Sequence, residues 1–281
     1  MVTFKLEIKK VFKSKSFWAV ILFAGILAIL SAVFIIITCS KFQEMYHNFG
    51  TNPSYAFGDN AFANVISRDK SSVIGAMFYT FLPLVCVLGY GWSYASDLRS
   101  GYIKNIITRT GKRQYIISKY FATFISGGLV VLIPVVINIV VLACYMPFRM
   151  ANPYWQLYYS EMPAFPFSKL FFTAPVLYLL ISLVGHFLIG GLYATSSMVV
   201  SVFNTNKYIV ALLPFVLSLI YAYICNNYLN NMFRAELDPT KFLTTSNSTY
   251  RVLFYIVLIY IVYFAITLIP IFYKGMKKDV F

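Results

Sequence analysis

The sequence predicts an all-α integral membrane protein with six membrane-crossing helices. Three observations predict it. First, 60% of the 281 residues are hydrophobic and only 11% are charged, whereas soluble domains carry about 25% charged residues. Second, the mean hydropathy is +0.74, and apolar stretches recur near the ~20-residue length that crosses a bilayer core. Third, the charges gather in the gaps between those stretches. The length admits six crossings with modest loops and leaves no room for a large soluble enzyme domain.

The elements follow in order. Residues 1–16 form a basic amphipathic helix, with Phe4, Ile8, Val11 and Phe12 on one face and Lys5, Lys9, Lys10 and Lys13 on another. Such a helix lies in the interface plane, apolar side down; the plainer reading is a basic tail without fixed structure. Trp18 marks the interface after it. The first span covers 17–38. It is too long for a signal-peptide core and is read as an uncleaved anchor. Residues 41–71 form an outside loop with the turn signals Asn52-Pro53 and Gly58-Asp59-Asn60.

The second span covers 72–94, with Pro83 predicted to kink it. A basic segment, 97–119, precedes the third span at 120–144, which carries Pro134 and Asn138. An aromatic, proline-rich outside stretch, 145–172, is expected to lie on the outer interface, partly as a short helix. The fourth span covers 173–202, and the turn Phe203–Lys207 leads to the fifth at 208–225. The outside segment 226–250 contains paired amides and the sequon Asn247-Ser248-Thr249. The sixth span covers 251–273, before a basic tail.

Charge sets the predicted orientation. With both termini in the cytosol, inside segments hold 15 of the 23 Lys and Arg and three acids, Glu7, Asp97 and Asp279. Outside segments hold eight basic residues and six acids. That distribution is positive-inside. The net charge of +14 therefore answers to anionic lipid rather than nucleic acid. Cys39, Cys86, Cys144 and Cys225 lie in or beside apolar segments without CxxC spacing, and read as small apolar fillers.

Candidate chemistry is sparse. Every Lys, Arg, Asp and Glu is expected at or outside a span boundary, leaving His186 as the one ionisable group at depth. Ion-coupled transporters usually place charge inside the membrane, so a gradient-driven mechanism is disfavoured. His186, Tyr193 and Ser197 share a stripe with Gly190 and Ala194 on the fourth span. This reads as a helix-packing seam or as the wall of a translocation path, and Asn138 carries the same two readings. No GxxxxGK[ST] loop, HExxH motif or GxSxG elbow occurs, and no metal site is expected.

The segment 97–119 stands apart. Leu98, Tyr102, Ile103, Ile106 and Ile107 form an apolar stripe at helical spacing. Asp97, Arg99, Lys104, Asn105 and Thr108 are expected to face away from it. Gly111 is a natural helix stop, with a new helix from about Lys112 running into the third span. The polar face reads as a docking surface for a cytoplasmic partner or as a generic loop lying on lipid.

Asp97, Gly101, Ile103, Lys104, Asn105, Ile106, Ile107, Arg113, Ser118 and Lys119 resemble the signature of ABC-2-type transporter permeases. The likeness is closest to the small peptide-antibiotic immunity and bacitracin-export-like permeases. That pattern reads acid-x-x-x-Gly-Thr-apolar-Lys-Asn-apolar-apolar, then a turn, Arg and a later Ser-Lys. Asp97 stands for the commoner Glu, Tyr102 for Thr, and Thr110-Gly111 for a proline-containing turn. The match is sharp over about 25 residues and architectural elsewhere.

The resemblance implies a multi-pass subunit of a bacterial cytoplasmic membrane exporter, gripped by a separate cytoplasmic ATPase dimer that binds ATP and Mg. A second permease copy or sister permease would complete the unit. It assigns coupling roles to Asp97, Arg99, Gly101, Lys104, Arg109 and Arg113, with Asn204 and Lys207 as a smaller second contact. The implied substrate is an amphipathic peptide antibiotic or lipid-like compound. A stand-alone secondary transporter or channel, and a non-transporting scaffold or sensor, are the alternative classes.

Overall fold

The computed structural model describes residues 2–48, 60–66, 72–150, 168–233, 237–240, 243 and 252–277. The predicted turns at 52–53 and 58–59, most of the aromatic outside stretch and the sequon lie outside the described residues. Every regular element among the described residues is helical. Six helices are long and apolar enough to cross a membrane: Lys15–Lys41, Val73–Gly91, Lys112–Ala143, Pro175–Phe203, Lys207–Leu229 and Phe254–Tyr273. Their outer faces expose large apolar side chains such as Leu22, Phe23, Leu217 and Phe254. A helix apolar all round belongs in lipid or in a large core.

The chain begins with α1 (Val2–Lys13) and α2 (Lys15–Asn48). The first span thus continues as helix through residues expected in the loop. Short α3 (Ala61–Asn64) is capped by Asn60, whose Oδ1 accepts from Phe62 N. The second crossing is α4 (Val73–Cys86), a π-helical stretch Val87–Gly91, and α5 (Ser93–Arg99). The helix runs through Pro83, and its irregularity comes four residues later, where Ser16 Oγ donates to the Leu88 carbonyl at 2.6 Å. A π-bulge re-aims the side chains that follow it.

Next come α6 (Tyr102–Thr110) and α7 (Lys112–Ala143). Short α8 (Ser168–Thr173) precedes α9 (Pro175–Phe203), which starts with proline in its first turn. The fifth crossing is α10 (Lys207–Ile224), continued by a π-helical stretch Cys225–Leu229 and α11 (Asn230–Phe233). The amides expected in an outside loop therefore lie on a helical continuation. The last element is α12 (Val252–Lys277).

The centre of the bundle is the α7–α9 seam. Gly127 and Gly128 face Gly190 and Phe187, and a Cβ added at Gly190 would sit 2.7 Å from the Gly127 carbonyl oxygen. Small residues let two helices approach this closely. The π-helical stretch lies on the same seam, with Gly89 against Val130 and Gly91 against Ser197. Leu243 returns to the core beside Tyr193 and Tyr79. The segment Leu237–Thr240 folds back along α10, where Tyr221 OH donates to the Leu237 carbonyl at 3.3 Å. It buries Asp238, whose Oδ1 accepts from Thr240 N and Oγ1. Asp238 thus lies outside the span boundaries, as expected, but is buried there.

Candidate functional site

One end of the bundle gathers the N-terminal helix, the α5–α6 segment, the last turn of α9 and the end of α12. Ile103 of α6 is 2% exposed and packs with Tyr94, Tyr115, Ile116, Tyr120, Met198, Val202 and Ile271. Leu98, Ile106 and Ile107 flank that cluster. The predicted apolar stripe therefore docks on the ends of the spanning helices.

The predicted continuous helix is split. Gly101 adopts φ +70° and Gly111 φ +81°, left-handed values that glycine reaches without steric cost. Gly111 ends α6 as expected. The break at Gly101 corrects the single-helix expectation: it lets α6 turn against α5. Opposite the docked stripe, Arg99, Lys104, Asn105, Thr108, Arg109 and Arg113 are exposed. Val202 packs in the Ile103 cluster, so the Asn204–Asn206 turn emerges beside α6. Asn204 Oδ1 accepts from Asn206 N, Asn206 Oδ1 accepts from Tyr208 N, and Asn204 and Lys207 are exposed.

Asp97 does not belong to the exposed face. Its Oδ2 accepts from Lys119 Nζ at 2.6 Å and from Tyr115 OH at 2.7 Å. The expected outward orientation is thus corrected: a carboxylate beside a buried ammonium is pulled inward. Lys119, on α7, is 1% exposed and also donates to Glu7 Oε2 at 2.9 Å and Tyr90 OH at 3.3 Å. Each of its three N–H donors has an acceptor, as a buried charge requires.

Glu7 completes the cluster. Its Oε2 also accepts from Tyr90 OH at 3.0 Å, and its Oε1 from Lys10 Nζ at 2.7 Å. Lys10 lies 3.8 Å from the Tyr102 ring centroid, a cation–π contact joining α1 to α6. Thr3 and Ser118 share a hydrogen bond at 3.0 Å. Helix α1 is thus fastened to α7 through Thr3 and Glu7, on the face that also buries Val11. Two cations and two carboxylates balance, and they tie together α1, the π-helical stretch, α5 and α7.

This geometry gives a pH prediction. Burial alone would raise the Glu7 carboxyl, but the charges and hydrogen bonds of Lys119 and Lys10 outweigh it and hold Glu7 below its ordinary value. A lowered folded-state value favours the ionised form. Its contribution is full above the ordinary carboxylate value and is lost as pH falls through the lowered one. Unfolding temperature in detergent is expected to drop on acidification, with a shallower drop for Glu7→Gln. Parallel profiles would refute the assignment.

The path candidates are placed apart. Asn138 Oδ1 accepts from Ile66 N at 3.0 Å and its Nδ2 donates to the Ala28 carbonyl at 2.9 Å, so it staples α2 and α7 to the end of α3. His186 is buried, with Nδ1 2.7 Å from the Ser182 carbonyl and Nε2 2.8 Å from Tyr79 OH. A carbonyl only accepts, so Nδ1 carries the proton and Nε2 accepts from Tyr79. Ser197 Oγ donates to the Ala194 carbonyl at 2.6 Å and rests against Gly91. Tyr193 lies on α9, edge-on to Tyr263 at 5.7 Å.

Sequence reasoning missed Glu7, Tyr90 and Tyr115 as functional residues. A signal was present. Glu7 and Asp97 are each the lone acid in a basic stretch, and a lone acid among cations is a natural ion-pair partner. No family model, curated protein or solved structure matches the chain.

Proposed function

We propose that this chain is the membrane subunit of an ATP-driven exporter, with α6 as the contact for a separate cytoplasmic ATPase dimer. The observation that carries the reading is the two-sided character of α6. Its apolar face is rooted in the ends of three spanning helices, while its basic face, with Lys104 and Arg109, is free for a partner. Arg99, Arg113 and Lys207 extend that surface. An ATPase closing on ATP would press α6, and Asp97–Lys119 would pass the displacement to α7 and α1. Gly101, at φ +70°, forms the bend that sets α6 against α5. The termini and α6 would lie in the cytosol, as the basic residues at this end require. The resemblance in the 97–119 segment adds the substrate class, an amphipathic peptide antibiotic or lipid-like compound, and a second permease.

The test is gentle extraction with membrane partners. A Walker-motif ATPase is expected to co-purify with the wild-type chain and to be lost from Arg109→Glu/Arg113→Glu. Absence of any ATPase, with transport continuing in ATP-free vesicles, would overturn the proposal and favour a stand-alone transporter.

A further inference from the structure

A cavity of about 410 Å³ lies between α9, α10 and α12. Ligand sites of about 300–1,000 Å³ with mainly apolar walls are ordinary small-molecule pockets. Tyr193 and Ser196 of α9, Pro214 and Ser218 of α10, and Val262 and Thr267 of α12 line it, and among the described residues no Lys, Arg, Asp or Glu does.

Three of the hydroxyls on its wall already donate within their own helices. Ser196 Oγ donates to the Tyr193 carbonyl, Ser218 Oγ to the Phe215 carbonyl, and Thr267 Oγ1 to the Phe264 carbonyl. A charged occupant would be buried without a countercharge among the described lining residues. Pro239 of the folded-back segment lies against the cavity. The mouth opens sideways, because the lining residues Leu217, Val262 and Ile266 are about half exposed on the outer faces of α10 and α12.

We propose that this cavity binds one alkyl chain of a membrane amphiphile, entering from the bilayer between α10 and α12 with its polar end left outside. Size decides against a helix from a second copy. A helix about 10 Å across would use this volume in roughly one turn, whereas a single alkyl chain fits along it. The proposal is independent of ATPase coupling and holds for any transport mechanism.

The test uses the full chain in nanodiscs containing phosphatidylcholine with a photoreactive diazirine on one acyl chain. Peptide mapping is expected to find labelling at Ser196, Val200, Ser218 and Val262 in excess of the lipid-facing Leu22 and Phe254. Ser218→Trp and Ser196→Phe, which fill the cavity from two helices, are expected to lose that excess while Leu22 stays labelled. Even labelling of cavity and outer residues in the wild type would overturn the proposal, whatever the variants' folding. So would retention of the excess in folded, filled variants. A disulfide between two copies through Val262→Cys, with the probe excluded, would assign the mouth to a second copy and also overturn it.

Discussion

Lys119→Met is expected to lower unfolding free energy by about 3–5 kcal/mol, the loss that follows when one partner of a buried ion pair is removed. Lys119 is 1% exposed and Glu7 2%. Without the ammonium, Glu7 keeps only Lys10 and Tyr90, and Asp97 keeps only the Tyr115 hydroxyl. Two carboxylates would then share a desolvated space with no common cation. A triple variant is the control. Adding Glu7→Gln and Asp97→Asn to Lys119→Met removes the uncompensated charges, and most of the loss is expected to return, because buried ion pairs replaced as a unit are often near neutral. Denaturant titration in mild detergent reads all three proteins. A loss of under about 1 kcal/mol for Lys119→Met would place the pair with exposed salt bridges and remove the mechanical link between α5 and α7.

This cluster also marks where the sequence stops being legible. The six crossings could be read because each is a long apolar run, and Gly111 because glycine just past a periodic segment is a stop signal. Gly101 reads in the sequence only as a match to the family signature, with no bend assigned to it. The chain bends there at φ +70°, and Asp97, just before the bend, bonds Lys119, a partner 22 residues away. Helix α1 shows the same ambiguity. An amphipathic pattern does not say whether lipid or protein covers a face, and the decisive contact, Glu7 to Lys119, spans 112 residues. For Asn138 and His186 the sequence offered two readings and named no partners; the bonds to Ala28, Ile66, Tyr79 and Ser182 are set by tertiary packing. Of the path candidates, Tyr193 lines the cavity between α9, α10 and α12.

Gly127→Ala is expected to destabilise by about 1–3 kcal/mol, the usual range for overpacking a close-fitted core. The sign is the informative part. In an exposed helix interior the same change stabilises by about 1 kcal/mol, because alanine is the better helix former. At Gly127 the new Cβ would run into the Ala194 Cβ and the Gly190 carbonyl. One obstacle is backbone and the other a Cβ fixed to it, so no rotamer change relieves the clash; α7 and α9 must move apart. Gly128 behaves alike: its new Cβ would meet the Phe187 ring at 2.5 Å, which can turn, but also the Phe187 carbonyl at 2.8 Å, which cannot. Gly185→Ala is the matched control on α9. Its Cβ would meet only Leu243 Cδ2 at 3.5 Å, ordinary contact, so a neutral or slightly positive change is expected. Measured side by side, opposite signs at 127 and 185 would establish that the glycines of the seam set helix spacing. Equal signs would mean that α7 and α9 slide freely, and a displacement delivered at α6 would then be absorbed at the seam instead of moving α9.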